Sequence, residues 1–190
     1  MKKQLSLLLA AGFILTLLLS GCGSNPVAVD KPEWDTVADS SNGFSYEVPA
    51  DWTITEDATG QGCVIYVPED ADITSGSSNV NILVQSTGQK AASAKEMKAA
   101  FESDLEGQLL ANGFEKVENL KIDELKAPIG TVSVVSYDIY VGGMKFSQTQ
   151  FYPLIDDYVV VVTATDIGIS TTPSVDEVAE YVTLTLKKEG

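Results

Sequence analysis

Residues 131–152 read TVSVVSYDIYVGGMKFSQTQFY, two runs rich in β-branched and aromatic residues on either side of Gly142-Gly143. A two-residue hairpin turn whose twist matches its strands needs positive φ at both central positions, which glycine adopts without strain. The spacing therefore predicts a β-hairpin, Thr131 to Val141 paired with Met144 to Tyr152. The turn also fixes the register: Val141 opposite Met144, Ile139 opposite Phe146, Tyr137 opposite Gln148, and Val135 opposite Gln150. Those eight side chains share one face of the sheet, apolar near the turn and more polar away from it. A lone hairpin is marginal in water, so the fold turns on what covers this face.

On the C-terminal side, Tyr158 to Thr165 is a nearly continuous apolar run, the pattern of a central strand buried on both faces. Ser174-x-x-Glu177 after Pro173 is a capping box, and Val175, Val178, Val182 and Leu186 form the apolar stripe of the helix it opens. Lys187 and Lys188 then suit the negative end of that helix dipole. On the N-terminal side, Ser93-x-x-Glu96 opens another helix, Met97, Phe101, Leu105 and Leu109 recur at every fourth residue, and Gly113 stands where a C-terminal glycine cap belongs. Val80 to Gln85 and Cys63 to Val67 read as strands. Phe44 to Val48, stopped by Pro49, and Trp52 to Thr55 read as two short strands or one bent strand. Strands, helix, antiparallel strands, helix is the order of an α+β domain, with helices packed on a mostly antiparallel sheet.

The run Gly43-Phe44-Ser45-Tyr46-Glu47-Val48-Pro49-Ala50-Asp51-Trp52 is an aromatic-led strand, a proline turn and a tryptophan that re-enters the core. It resembles the opening of the Mog1/PsbP-like fold, including bacterial lipoproteins of the LpqN group, and the element order agrees over Phe44 to Leu186. The resemblance implies a sandwich-like, non-enzymatic binding or scaffolding domain. Some members of that family hold metal through histidine; this chain has none, so no metal role is implied.

The N-terminus carries an address. Lys2 and Lys3 precede an apolar stretch of 15 residues, Leu5 to Leu19, too short to span a bilayer and patterned as a signal peptide. It ends in Leu19-Ser20-Gly21-Cys22, which resembles the lipobox of bacterial lipoproteins. The resemblance implies cleavage after Gly21 and a diacylglyceryl group on Cys22, so the protein meets the membrane through this lipid, on the extracytoplasmic face. The expected organisation is residues 1–21 as signal peptide, 22–33 as a lipidated tether, and 34–190 as one α+β domain.

Composition narrows the chemistry. The 190 residues hold 27 Asp and Glu against 12 basic residues, all lysine, with no His, no Arg and a net charge of -15. Imidazole bases, histidine metal ligands and guanidinium clamps are excluded. Nucleic acid and anionic head groups would be repelled. Asp70-x-Asp72-x-Thr74 begins like a calcium loop but lacks the glycine and the bidentate glutamate that such a loop needs. Cys63 has no His to activate it and reads as a small core residue. Glu56-Asp57 and Asp156-Asp157 are adjacent carboxylates that diverge on extended backbone, so they read as solvated turn charges. Ser133, Ser136 and Thr149 read as strand surface. No catalytic residue, metal ligand or cofactor emerges.

Two readings of the binding surface stand at this point. The amides of Gln148 and Gln150 beside Tyr137 either lie at a rim and bond to water or loop backbone, or the three residues line an open groove that recognises a polar group. Two functions follow: a lipid-anchored envelope protein acting as an accessory or scaffold for a protein partner, or an envelope receptor for a small polar ligand or a cation.

Overall fold

The computed structural model describes residues 33–39, 42–55, 63–71, 76–88 and 92–189. In chain order the strands are β1 (Trp34–Asp39), β2 (Phe44–Pro49), β3 (Trp52–Thr55), β4 (Val64–Pro68), β5 (Asn79–Ser86), β6 (Lys116–Ala127), β7 (Gly130–Val141), β8 (Met144–Tyr152), β9 (Leu154–Ile155), β10 (Tyr158–Asp166) and β11 (Lys187–Lys188). Helix α1 (Ala94–Ala111) lies between β5 and β6, and helix α2 (Val175–Thr185) between β10 and β11. The lipobox with Gly21 and Cys22, the pair Glu56-Asp57, and Asp72 and Thr74 lie outside the described residues.

The main sheet has eight strands in the order β3-β4-β5-β10-β8-β7-β6, with β9 paired to β10. Every strand pairing among the described residues is antiparallel. The β7-β8 hairpin has the register that Gly142-Gly143 dictates, down to Val135 opposite Gln150. Both turn glycines have positive φ, 59° and 78°, and the Glu115 carboxylate accepts hydrogen bonds from their two amides. Strand β10 sits at the centre, between β5 and β8. Its Val159 and Val161 enter one core, and Val160, Val162 and Ala164 the other. Each such valine contributes roughly 1.5–3 kcal/mol by leaving water.

Helix α1 covers one face with Met97, Phe101, Leu105 and Leu109, all buried. The other face is covered by α2 and by a second sheet of three strands, β1-β2-β11. Both helices open with the capping box that their sequences predict: the Ser93 and Ser174 hydroxyls accept from the Glu96 and Glu177 amides, and the glutamates reach back. Of the two readings of the opening segment, two short strands is the one observed: Phe44–Pro49 and Trp52–Thr55 are separate strands in different sheets, with the proline turn between them. One element departs from the sequence reading. Lys187 and Lys188 are not the cationic tail of a helix. Leu186 (φ -58°, ψ 127°) takes the chain into extended conformation, and the two lysines pair with Ser45 and Phe44 as β11.

Candidate functional site: a closed polar belt and an open cleft

Alternation along β7 and β8 puts Tyr137, Gln148 and Gln150 on the face beneath α1, where they are 2 %, 4 % and 1 % exposed. They do not line an open groove, and they do not lie at a rim. The Tyr137 hydroxyl donates to Gln148 Oε1 (2.8 Å), and Gln148 Nε2 donates to Thr165 Oγ1 (3.2 Å). One register step along, Tyr152 donates to Gln150 Oε1 (2.6 Å), and Gln150 Nε2 reaches Thr163 Oγ1 (3.5 Å). The sheet register sets Thr163 opposite Asn81 and Thr165 opposite Asn79. The result is a belt of neutral polar side chains running across β7, β8, β10 and β5 inside an apolar core. Such a belt withstands burial because its members partner one another. Burial raises the Tyr137 and Tyr152 pKa well above the ordinary phenol value, so both stay neutral donors. The belt is complete except at one end, where Asn79 Oδ1 and Asn81 Nδ2 are buried without a hydrogen-bond partner among the described residues.

The remaining sequence candidates fall into place individually. Ser133 is not strand surface. It is fully buried, and its hydroxyl donates to the Ala94 carbonyl at the start of α1. Ser136 and Thr149 are half-buried and bond to each other on the opposite face (3.3 Å). Cys63 is buried in the α1-side core, in no disulfide, and its thiol donates to the Val64 carbonyl (3.8 Å). Asp156 occupies the β9-β10 turn with φ 54° and pairs with Lys188 (2.7 Å), while Asp157 accepts from Ser86. Asp70 is exposed. Among the described residues no cluster of three acidic or cysteine side chains is close enough to hold a metal ion, and no helix is long and apolar enough to cross a membrane.

What the molecule offers to solvent is found elsewhere. One cleft of about 570 Å³ lies beside the start of α1, bordered by Lys95, Lys126, Thr131 and Asp156. Its polar groups are largely engaged already, Lys126 with Thr131 (2.7 Å) and Asp156 with Lys188. The other, of about 510 Å³, runs between α1 and β6. Phe101, Leu105, Leu120 and Ile122 form its apolar lining, and Glu102, Asp104 and Glu106 stand along it with Ser103 and Gly107. None of the four ion pairs among the described residues uses those three carboxylates. This cleft was hidden from sequence reasoning because β6 was. The signal lay in Leu120, Ile122 and Leu125. Leu120 and Ile122 keep a two-residue period but are out of phase with Val117, although all three pack against the α1-side core and Leu125 against the other, because a register shift between Glu118 and Lys121, with Asn119 at φ 54°, interrupts the strand.

No protein-family model and no curated protein sequence matches the chain. Solved structures do. Cyanobacterial PsbP (CyanoP) from Synechocystis sp. PCC 6803 superposes with a TM-score of 0.56 at 12 % identity, over 90 % of this chain and 98 % of its own. The Ran-binding protein Mog1p of Saccharomyces cerevisiae gives 0.56 at 11 % identity, over 83 % and 96 %. LpqN of Mycobacterium tuberculosis, described as involved in cell envelope biogenesis, gives 0.51 at 9 % identity, over 83 % and 91 %. At these identities the likeness is one of fold: the domain has the Mog1/PsbP-like α+β fold that its opening strand and element order predict.

Proposed function

We propose that this chain is a lipid-anchored cell-envelope protein on the extracytoplasmic face of a membrane, whose domain acts as a non-enzymatic accessory or scaffold by binding another protein. The observation that carries the reading is a pairing. A lipobox, Leu19-Ser20-Gly21-Cys22, and a short tether precede a domain with the fold of LpqN, itself described as a protein of cell envelope biogenesis. Two acyl chains suffice for stable anchoring, at about 0.8 kcal/mol per buried methylene, so an acidic domain needs no basic face to stay at the surface. Apart from Asn79 Oδ1 and Asn81 Nδ2, the polar belt of the domain's interior is satisfied by its own members, which favours recognition at the outer surface.

The test is metabolic labelling with palmitate, followed by membrane fractionation and crosslinking of intact cells. The wild-type chain is expected to carry label and to sediment with membranes. Cys22→Ala should lose the label and accumulate as precursor; a labelled, normally processed Cys22→Ala product would sink the anchoring.

One observation favours the second reading, a receptor for a small polar ligand. Asn79 Oδ1 and Asn81 Nδ2, an acceptor and a donor, are buried at the end of the polar belt with no hydrogen-bond partner among the described residues. A ligand held there would raise the melting temperature by mass action, with about 2.7 kcal/mol of added stability at a hundredfold excess over Kd. A thermal-shift screen of sugars, amino acids and cations separates the two readings.

A further inference from the structure

Helix α1 contains a glycine in its last third, Gly107, with ordinary helical neighbours. Glycine is disfavoured inside a helix relative to alanine, so its presence needs a reason. Packing supplies none. A Cβ built there would meet only the Asp104 carboxylate, at 2.7 Å from Oδ1, the swinging end of an exposed side chain. What the missing side chain does is keep the wall of the α1-β6 cleft low, down to the helix backbone. The opposite wall is β6, the edge strand of the eight-stranded sheet. Its residues Lys121 to Ala127 pair regularly with β7 on one side, and among the described residues no strand pairs with their other side. Such an edge is a template for a further strand.

We propose that the cleft between α1 and the β6 edge docks an extended, lysine- or arginine-bearing segment of a protein partner. Its alternate apolar residues rest on Leu120 and Ile122, and its cations face Glu102, Asp104 and Glu106. This deepens the scaffold reading and rests on it for there being a protein partner. Charge complementarity selects the occupant: the three carboxylates make no ion pair among the described residues, and the whole chain is at -15. The same carboxylates do not converge as a metal-holding group; on the helix Glu102 and Glu106 share one flank and Asp104 projects from the other, so they meet separate charges rather than one ion. Gly107 lets the segment approach the helix backbone closely.

The probe is a fluorescently labelled alternating Lys-Val peptide, titrated into the full-length chain in non-ionic detergent and read by anisotropy, with Glu-Val and Ser-Val peptides as controls. Lys-Val binding that weakens with salt is expected, and at least about tenfold weaker binding to Glu102→Gln/Asp104→Asn/Glu106→Gln. Gly107→Leu fills the cleft without touching a charge. It should weaken binding to a similar degree while the melting temperature stays within a few degrees. Unchanged binding to Gly107→Leu would overturn the proposal in favour of diffuse charge attraction. Equal binding of the Ser-Val peptide, or displacement by millimolar calcium with a rise in melting temperature, would overturn it also. If Gly107→Leu proves unfolded, Ser103→Trp, on the same wall, gives the same reading. Peptide binding does not require the lipid, so the Cys22→Ala chain should bind equally. A partner crosslinked in cells irrespective of Gly107→Leu would refute the cleft and leave the scaffold reading standing.

Discussion

The two faces of the main sheet are covered in different ways. Beneath α2 the cover is double, a helix and a three-stranded sheet, and the core there is almost wholly apolar. Its polar exceptions are paired: Tyr46 and Tyr66 share a hydrogen bond of 3.1 Å. Beneath α1 the cover is one helix, and a row of amides, hydroxyls and phenols crosses the core. A single helix is about 10 Å wide, so it cannot span the sheet, and the cleft along β6 lies where that cover stops. The comparison teaches where to look for function: the doubly covered face is committed to stability, and the singly covered face leaves an edge and a cleft accessible.

The largest expected effect breaks the doubly covered face. Phe44→Ala removes a fully buried ring that packs edge-on against Tyr158, and urea unfolding should show a loss of about 3–5 kcal/mol. Phe101→Ala beneath α1 should fall at the low end of that range, because one helix settles toward the sheet more easily than a helix and a sheet together. Equal or reversed losses would erase the distinction between the faces.

A smaller effect tests the polar belt. Gln150→Ala leaves the Tyr152 hydroxyl buried without its acceptor and should cost about 2–3 kcal/mol. Gln150→Leu combined with Tyr152→Phe removes both partners and should restore stability to within about 1 kcal/mol of wild type. A double variant as weak as the single would mean that the belt is required as a network. Smaller again is Asn81→Leu, which replaces a buried amide whose Nδ2 has no partner among the described residues with a similar apolar shape; melting should show no loss, or a gain of about 1 kcal/mol. A clear loss would show that the amide is satisfied.

Effects of similar size concern the two helix starts, one on each face. Ser93→Ala and Ser174→Ala should each cost about 1 kcal/mol. The backbone amides of Ser93 and Ser174 donate to the Glu96 and Glu177 carboxylates, and this, followed by the serine hydroxyls, lowers both pKa values. A depressed folded pKa gives stability that is present above the ordinary glutamate value and lost as pH falls through the folded one. Melting curves between about pH 6 and pH 3 should therefore fall less steeply for Glu96→Gln/Glu177→Gln than for wild type. Parallel curves would remove the caps from the acid response.

Much of this fold is legible in the residues, for identifiable reasons. Gly142-Gly143 sets the hairpin register because few other residues take two consecutive positive φ angles. The valines of β10 announce burial on both faces, and Ser-x-x-Glu marks both helix starts. What escapes is what local pattern does not encode. WDTVAD of β1 carries two aspartates and half-exposed residues and becomes a strand only because β2 lies beside it. β6 changes phase at its irregularity. Lys187-Lys188 reads as a helix tail until β2, far away in sequence, offers its edge. The polar belt was misplaced for a related reason: Gln148 and Gln150 look like surface until Thr163 and Thr165, from another strand, supply their partners.

The clasp between β2 and β11 gives the molecule an order in time. Ser45 and Glu189, 144 positions apart, are hydrogen-bonded, and Glu189 also donates its amide to the Gly43 carbonyl. Until residues 187–189 are available, β2 lacks one of its neighbours and the doubly covered face stays open, while the β7-β8 hairpin and α1 need only nearby chain. Contacts of such long range form late and slowly. A polypeptide delivered from its N-terminus would thus pass most of its length with Phe44 and Tyr46 still unburied, threadable through a narrow passage, and would lock only once the last strand arrived.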